Sequence, residues 1–382
     1  MLPVNPFSIS CKTDIYFGAG THRRLLDLLP QGVKSVILVK GVSNGPSSPV
    51  RLLLSNAGIR CAAVVCANEP SVGSVNSAWL NVHKTPVDCI VVCGGGSAID
   101  TGKALRLALH NGAPLSDGDF SLNHTAPEDI PLIVLPTTAG TGSEVTANAV
   151  LAAATRDAKV SLRGLGLQPS IAIVDPELMC AAPKAVVLYS GLDAVVQNIE
   201  AYTSSFATPF TRSLSGPAVS STLTALRDVI ESSNPNAWAQ LAWGSLASGI
   251  ALANGGLGAV HGLASILGGA YSAPHGALCG RLLGPVLRAN LASPNCTEEI
   301  RSNIMMCQRA VLDLFAPSHA SDPFSGFESW LAKQGLPRLG DWGIQADRIG
   351  MLAEAAEGAS SSLKNSVKLE KKELAQVLRD AL

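Results

Sequence analysis

CIVVCGGGSAIDTGKA, residues 89–104, begins as an apolar run, breaks on three glycines and continues as a helix-forming sequence. The order is strand, turn, helix. Successive glycines let backbone N–H groups approach an anion without Cβ obstruction. The helix that follows directs its positive N-terminal end at the same point. In open α/β sheets, ligands bind outside the carboxyl ends of the strands, where this loop falls. Gly94, Gly95, Gly96 and Ser97 are therefore candidate pyrophosphate contacts, with a tight strand-to-helix turn as the alternative. The spacing is not GxGxxG, so this is not the usual dinucleotide fingerprint.

Working outward, SVILVK (35–40), CAAVVC (61–66), PLIVLPTT (131–138) and IAIVDP (171–176) also read as strands. They are apolar on both faces, as buried parallel strands are. Helix-like patterns near 47–58, 74–83 and 97–110 alternate with them. This βαβ rhythm predicts a parallel α/β domain. After Pro183 the strand pattern stops and successive helical patterns follow. The expected fold is an α/β dinucleotide-binding domain with a parallel sheet over 1–183, then an all-helical domain over 184–382. The tail should form a turn and an amphipathic closing helix, with Leu369, Leu374, Val377 and Leu378 facing the body.

A formal net charge of −1 offers no basic surplus, which argues against nucleic acid or an anionic membrane surface as partner. Nine cysteines without a CxxC pair read as reduced thiols in a cytoplasmic protein. No signal peptide is evident in MLPVNPFSISCKTDIYFG. Residues 232–280 carry no Asp, Glu, Lys or Arg. That stretch also holds Asn254, paired glycines, Pro274 and two histidines, so it reads as buried helices rather than a membrane span.

PTTAGTGSEVT (136–146) is a second loop after a strand. Thr137, Thr138, Thr141, Ser143 and Thr146 offer hydroxyls suited to a ribose, a phosphate or a carboxamide. A Ser/Thr-capped turn is the plain alternative, but two such loops in one α/β domain favour a nucleotide. Lys159 is a further candidate contact. In GLDAVVQNIEAY (191–202), Asp193, Gln197 and Glu200 share one helix face by spacing. That stripe could be a metal site, a former metal site or a polar helix face.

GGGSAIDTGKA, PTTAGTGSEVT, GLDAVVQNIEAY and GAVHGLASILGGAYSAPHG occur in this order over residues 94–276. Together they resemble the iron-containing (group III) alcohol dehydrogenase family, within the dehydroquinate-synthase-like fold. The resemblance implies NAD or NADP as cofactor, a small-molecule alcohol or carbonyl substrate, an active site in the cleft between the domains, and commonly a homodimer. It also implies a divalent metal, often iron and sometimes zinc, held by one Asp and three His. Carried over by motif, the Asp is Asp193, and His261 and His275 are two of the histidines. The remaining histidine position is Gln197. A second departure is Ser265, where relatives often carry a His credited with proton relay.

These departures leave alternatives open. Gln197 could complete a weaker metal site, since a neutral amide oxygen is a harder and poorer ligand than imidazole. It could instead hydrogen-bond substrate directly, with His261 and His275 acting as donors or general acid and Ser265 passing a proton to water. Relatives that use NAD often carry Asp at the end of the strand aligned with SVILVK. Here Lys40 stands there, followed by Ser43 and Asn44, which favours NADP(H) or dual use. A maleylacetate-reductase-like enzyme, with Arg212 and Arg281 as carboxylate contacts, and a non-catalytic nucleotide-binding relative are the competing readings.

Overall fold

The computed structural model describes residues 6–121, 123–125, 130–153, 159–232, 234–271, 273–316 and 322–382. Two compact units emerge, one of residues 12–190 with 225–246, the other of 1–11, 191–224 and 247–382.

The first unit is built on strands β1 (Asp14–Phe17), β2 (Ser35–Gly41), β3 (Arg60–Cys66), β4 (Cys89–Gly94), β5 (Leu132–Pro136), β6 (Asn148–Ala152), β7 (Lys159–Arg163) and β8 (Ile171–Val174). The order β1-β8-β5-β4-β2-β3 forms a parallel sheet, and β6 pairs with β7 as an antiparallel hairpin. The central strands β2, β4 and β5 are buried almost throughout. Their side chains alternate between two cores. Ile37, Val39, Ile90, Val92, Leu132 and Val134 face one core, and Val36, Leu38, Val91, Cys93, Ile133 and Leu135 the other. Helices α1 (Leu25–Leu28), α2 (Ser48–Asn56), α3 (Val72–Val82) and α4 (Gly96–Asn111) lie between the strands in sequence. The chain moves outward from β2 to edge strand β3, then returns to place β4 against β2's other side. That reversal is a topological switch point, where nucleotides bind in such sheets.

The expected strands at 35–40, 61–66, 88–97, 131–138 and 171–176 correspond to β2, β3, β4, β5 and β8 with ends trimmed. Strand β1 and the β6–β7 hairpin are additional. The helices after Pro183 are α5 (Lys184–Thr203), α6 (Pro209–Glu231), α7 (Pro235–Gly255), α8 (Ala259–Tyr271), α9 (His275–Ala292), α10 (Glu298–Leu314), α11 (Ser325–Lys333), α12 (Ile349–Glu357) and α13 (Lys371–Ala381). The two units divide within α5, between Ser190 and Gly191. The closing helix α13 buries Leu374, Val377 and Leu378, and Leu369 is buried just before it. Among the described residues, no single helix is long and apolar enough to cross a membrane.

Candidate active site

In the α/β unit, β4 ends at Gly94 and α4 starts at Gly96, with Gly95 in extended conformation between them. The three glycines are required by close neighbours. A Cβ at Gly94 would meet Ala98 Cβ at 2.5 Å and the Gly41 nitrogen at 3.4 Å, so the loop abuts the end of β2 at the switch point. A Cβ at Gly95 would lie 3.0 Å from Thr138 Oγ1, and one at Gly96 would lie 2.7 Å from Thr141 Cγ2. The Thr137 N–H donates to the Gly94 carbonyl at 3.0 Å. The structure thus brings Gly94, Gly95, Gly96, Ser97, Thr137, Thr138 and Thr141 together into one double loop beside Lys40 and Gly41. The Lys40 ammonium donates to the Gly41 carbonyl at 3.2 Å. Lys159 sits on the hairpin and pairs with Glu69 at 2.5 Å.

A buried ionic cluster supports this double loop. Lys103, fully buried on α4, donates through Nζ to the Thr146 carbonyl (2.9 Å), Thr146 Oγ1 (3.1 Å) and the Asn148 carbonyl (2.8 Å). Thr146 is therefore held in the interior by Lys103. Burial pushes Lys103 down to about 8, against the opposing charges of Asp100 and Glu144. Burial pushes Asp100 up to about 6 and Glu144 up to about 7, with Lys103 pulling both the other way. The signal was present in the sequence as Asp100 and Lys103, three apart in GGGSAIDTGKA, but nothing local marked them as interior.

In the helical unit, Asp193, Gln197 and Glu200 of α5 are all buried. Glu200 answers the question their spacing raised. Its Oε1 accepts the Val260 N–H at 2.7 Å and its Oε2 the His261 N–H at 3.3 Å, so it caps the start of α8. The same Oε2 lies 2.6 Å from His261 Nδ1. At the other ring nitrogen, His261 Nε2 lies 3.2 Å from Asp193 Oδ1. One imidazole is thus fixed at both ends by carboxylates seven residues apart on α5. His275 opens α9, directly after Pro274, and its Nε2 is 3.8 Å from Asp193 Oδ1. The two imidazole centroids are 5.4 Å apart.

Cys279, one turn beyond His275 and fully buried, completes the cluster. The reactive atoms of Asp193, His261, His275 and Cys279 all lie within 4.8 Å of one another. Helix α9 comes close to α5 here, since a Cβ on Gly280 would meet Leu192 Cδ1 at 2.6 Å. Burial opposes ionisation throughout, but the groups charge one another. The thiol and both carboxylates hold His261 well above the ordinary imidazole value, and Cys279 and Asp193 raise His275. The imidazoles hold Cys279 below the ordinary thiol range, and the His261 hydrogen bond together with both imidazoles does the same for Asp193. A thiol, a carboxylate and two imidazoles of this kind fit a divalent cation, which would replace the shared protons. His261 in particular has the carboxylate partner on its far nitrogen that metal-bound imidazoles carry.

Gln197 Oε1 accepts the Ser248 hydroxyl at 2.7 Å, one turn along α5 from Asp193. Ser265 is exposed, and its hydroxyl donates to the His261 carbonyl at 2.8 Å. Arg281 donates to the Leu336 and Pro337 carbonyls at 2.6 and 3.1 Å, and Arg212 pairs with Glu299 at 3.2 Å. Both guanidiniums are engaged within the fold.

Comparison with known proteins agrees with this geometry. The family model described as iron-containing alcohol dehydrogenase matches residues 12–176, and its C-terminal counterpart matches residues 187–382. The chain belongs to the iron-containing alcohol dehydrogenase family. Its enzyme class is accordingly that of an alcohol dehydrogenase. It is 31% identical to the 1,3-propanediol dehydrogenase of Klebsiella pneumoniae, covering 92% of each chain. It is 29% identical to the NAD-dependent methanol dehydrogenase of Bacillus methanolicus, covering 96% of this chain and 97% of the relative. Among solved structures, a 1,3-propanediol oxidoreductase superposes with a TM-score of 0.86 at 27% identity, over 99% of this chain and 100% of that one.

Proposed function

We propose that this dehydrogenase interconverts a small primary alcohol and its aldehyde, with hydride passing between the carbinol carbon and C4 of a nicotinamide dinucleotide. One observation carries the reading. His261 is pinned by Glu200 at Nδ1 and faces Asp193 at Nε2, with His275 beside them. The relatives named for methanol and 1,3-propanediol support a small alcohol as substrate.

A divalent cation held by Asp193, His261 and His275 would supply Lewis-acid polarisation of the substrate oxygen. The nicotinamide supplies the hydride acceptor. The protein's own residues do the rest. Glu200 keeps Nδ1 of His261 engaged, so Nε2 is the nitrogen that would give up its proton and offer its lone pair to the cation. Asp193 contributes the negative charge that makes cation binding favourable in a buried site. The N–H groups at Gly95, Gly96 and Ser97, at the start of α4, bind the pyrophosphate. Thr137, Thr138 and Thr141 offer hydroxyls to the nicotinamide half, Lys159 is a further ribose or phosphate contact, and Thr146, held by Lys103, anchors the end of the second loop. Ser265, one turn from His261 and exposed, passes the alcohol's proton to water.

Lys40 and the neighbouring Ser43 and Asn44 favour a ribose 2′-phosphate at the end of β2. NADP(H) use alongside NAD(H) is the expected outcome of comparing kcat/KM for the two. A strong preference for NADH would remove this part of the reading.

Asp193→Asn tests the whole proposal. Calorimetry should find nucleotide binding intact, while kcat for small alcohols falls ~100-fold or more. An Asn variant turning over near the wild-type rate would refute it.

A further inference from the structure

The family resemblance expects an imidazole at position 197, and the chain has Gln there. The structure places a thiol against the other three groups instead. We propose that Cys279 Sγ takes the place of the missing imidazole as a metal ligand, giving an Asp193–His261–His275–Cys279 set that favours zinc over iron. This rests on the metal reading of Asp193, His261 and His275 given above.

Cys279 Sγ lies 3.8 Å from Asp193 Oδ1, 3.8 Å from His261 Nε2 and 3.7 Å from His275 Nε2. Tetrahedral zinc, with Zn–S about 2.3 Å and Zn–N or Zn–O about 2.0–2.2 Å, places sulfur about 3.6 Å from each N or O ligand. The same geometry separates N from O by about 3.3 Å. His261 Nε2 and Asp193 Oδ1 are 3.2 Å apart. The sulfur edges and the His261–Asp193 edge are thus within about two tenths of an ångström of a tetrahedron, and His275 Nε2, 3.8 Å from Asp193 Oδ1, closes it by moving in by about half an ångström. Other buried thiols have different surroundings: Cys89 and Cys93 each face a backbone carbonyl at 3.6 Å.

Gln197 has a partner on a neighbouring helix. Its Oε1 accepts the Ser248 hydroxyl of α7 at 2.7 Å. Its role in this scheme is to pack α5 against α7. Substituting thiolate for amide also changes which metal is preferred. Thiolate is a soft donor that suits Zn²⁺, and Zn²⁺ already stands above Fe²⁺ in intrinsic affinity for such sites. The most exposed member is His275, whose side chain is 32% accessible, whereas Cys279 is fully buried.

The test loads the purified full-length chain with Co²⁺ under anaerobic conditions and records its absorption. The proposal expects a near-ultraviolet thiolate-to-cobalt charge-transfer band together with visible bands of tetrahedral Co²⁺. Cys279→Ser should lose the near-ultraviolet band and bind Zn²⁺ at least ~10-fold more weakly, while Gln197→Leu keeps the band. Should either variant fail to fold, X-ray absorption of zinc-loaded wild type provides the second reading, with one sulfur expected at about 2.3 Å from the zinc. Tetrahedral Co²⁺ bands without the charge-transfer band, or a zinc shell of nitrogen and oxygen alone, would overturn the thiolate ligand and leave the metal reading standing. Failure of wild type to take up Co²⁺ or Zn²⁺ at all would overturn both.

Discussion

Glu200 does two jobs with one carboxylate. It satisfies the first N–H groups of α8 and fixes the His261 ring from behind. Uncapping a helix start costs ~1 kcal/mol, and loss of a carboxylate behind a metal-bound imidazole typically lowers metal affinity 10–100-fold. Glu200→Gln keeps the shape and part of the capping, so the larger effect should fall on the metal. Competition with a chromogenic chelator should show zinc affinity about 10-fold or more below wild type, with the melting temperature lowered only modestly. Unchanged affinity would mean that the contact is structural alone. The stripe of Asp193, Gln197 and Glu200 was legible in the sequence, because helical spacing alone puts them on one face. Their different roles were not, because those depend on partners at 248 and 260–261 that spacing cannot locate. Cys279 was legible only as a residue one turn past His275, and its neighbours Leu278 and Gly280 made it look like core.

At the scale of elements, the double loop and the cluster beneath it act together. Lys103 ties α4 to the segment from Thr146 to Asn148, where the second loop runs into β6. Glu144 stands in the same cluster with its carboxyl pushed from 4.5 up to about 7 by burial. A carboxyl whose folded value is raised stabilises the fold fully below the unfolded value, and that contribution is lost as pH rises through the folded value. Wild type should therefore lose stability between about pH 4.5 and 7 through this group. Glu144→Gln, neutral at every pH, should not. Thermal melts at pH 5 and pH 8 should show the variant gaining a few degrees on wild type at the higher pH. Parallel curves would place the ionised carboxylate in both states. The loop glycines and strands β2, β3, β4, β5 and β8 were readable from apolar runs and Gly spacing. The edge strand β1 and the hairpin β6–β7 were not: β1 is four residues with a mixed burial pattern, and the hairpin's strands are only partly buried.

At the scale of the molecule, the order of motifs along the chain divides the chemistry between two units. The α/β unit carries the glycines and hydroxyls of a nucleotide site, and the helical unit carries the carboxylate, imidazoles and thiol of a cation site. The charge-free stretch of 232–280 makes sense in this light. It supplies α7, α8 and the start of α9, whose small and apolar residues let helices approach closely enough to bring His261, His275 and Cys279 onto Asp193. The family was readable from four ordered motifs. The particular donor set was not, since it is fixed by helix packing rather than by any one motif.

The most direct measurement strips metal from the anaerobically purified protein with a graded series of chelator concentrations, then follows bound metal and alcohol-dependent NAD(P)H formation in the same samples. The account predicts that turnover falls in proportion to metal, with about one ion per chain at full activity, and returns when zinc is restored. Full turnover in a preparation emptied of metal would contradict it.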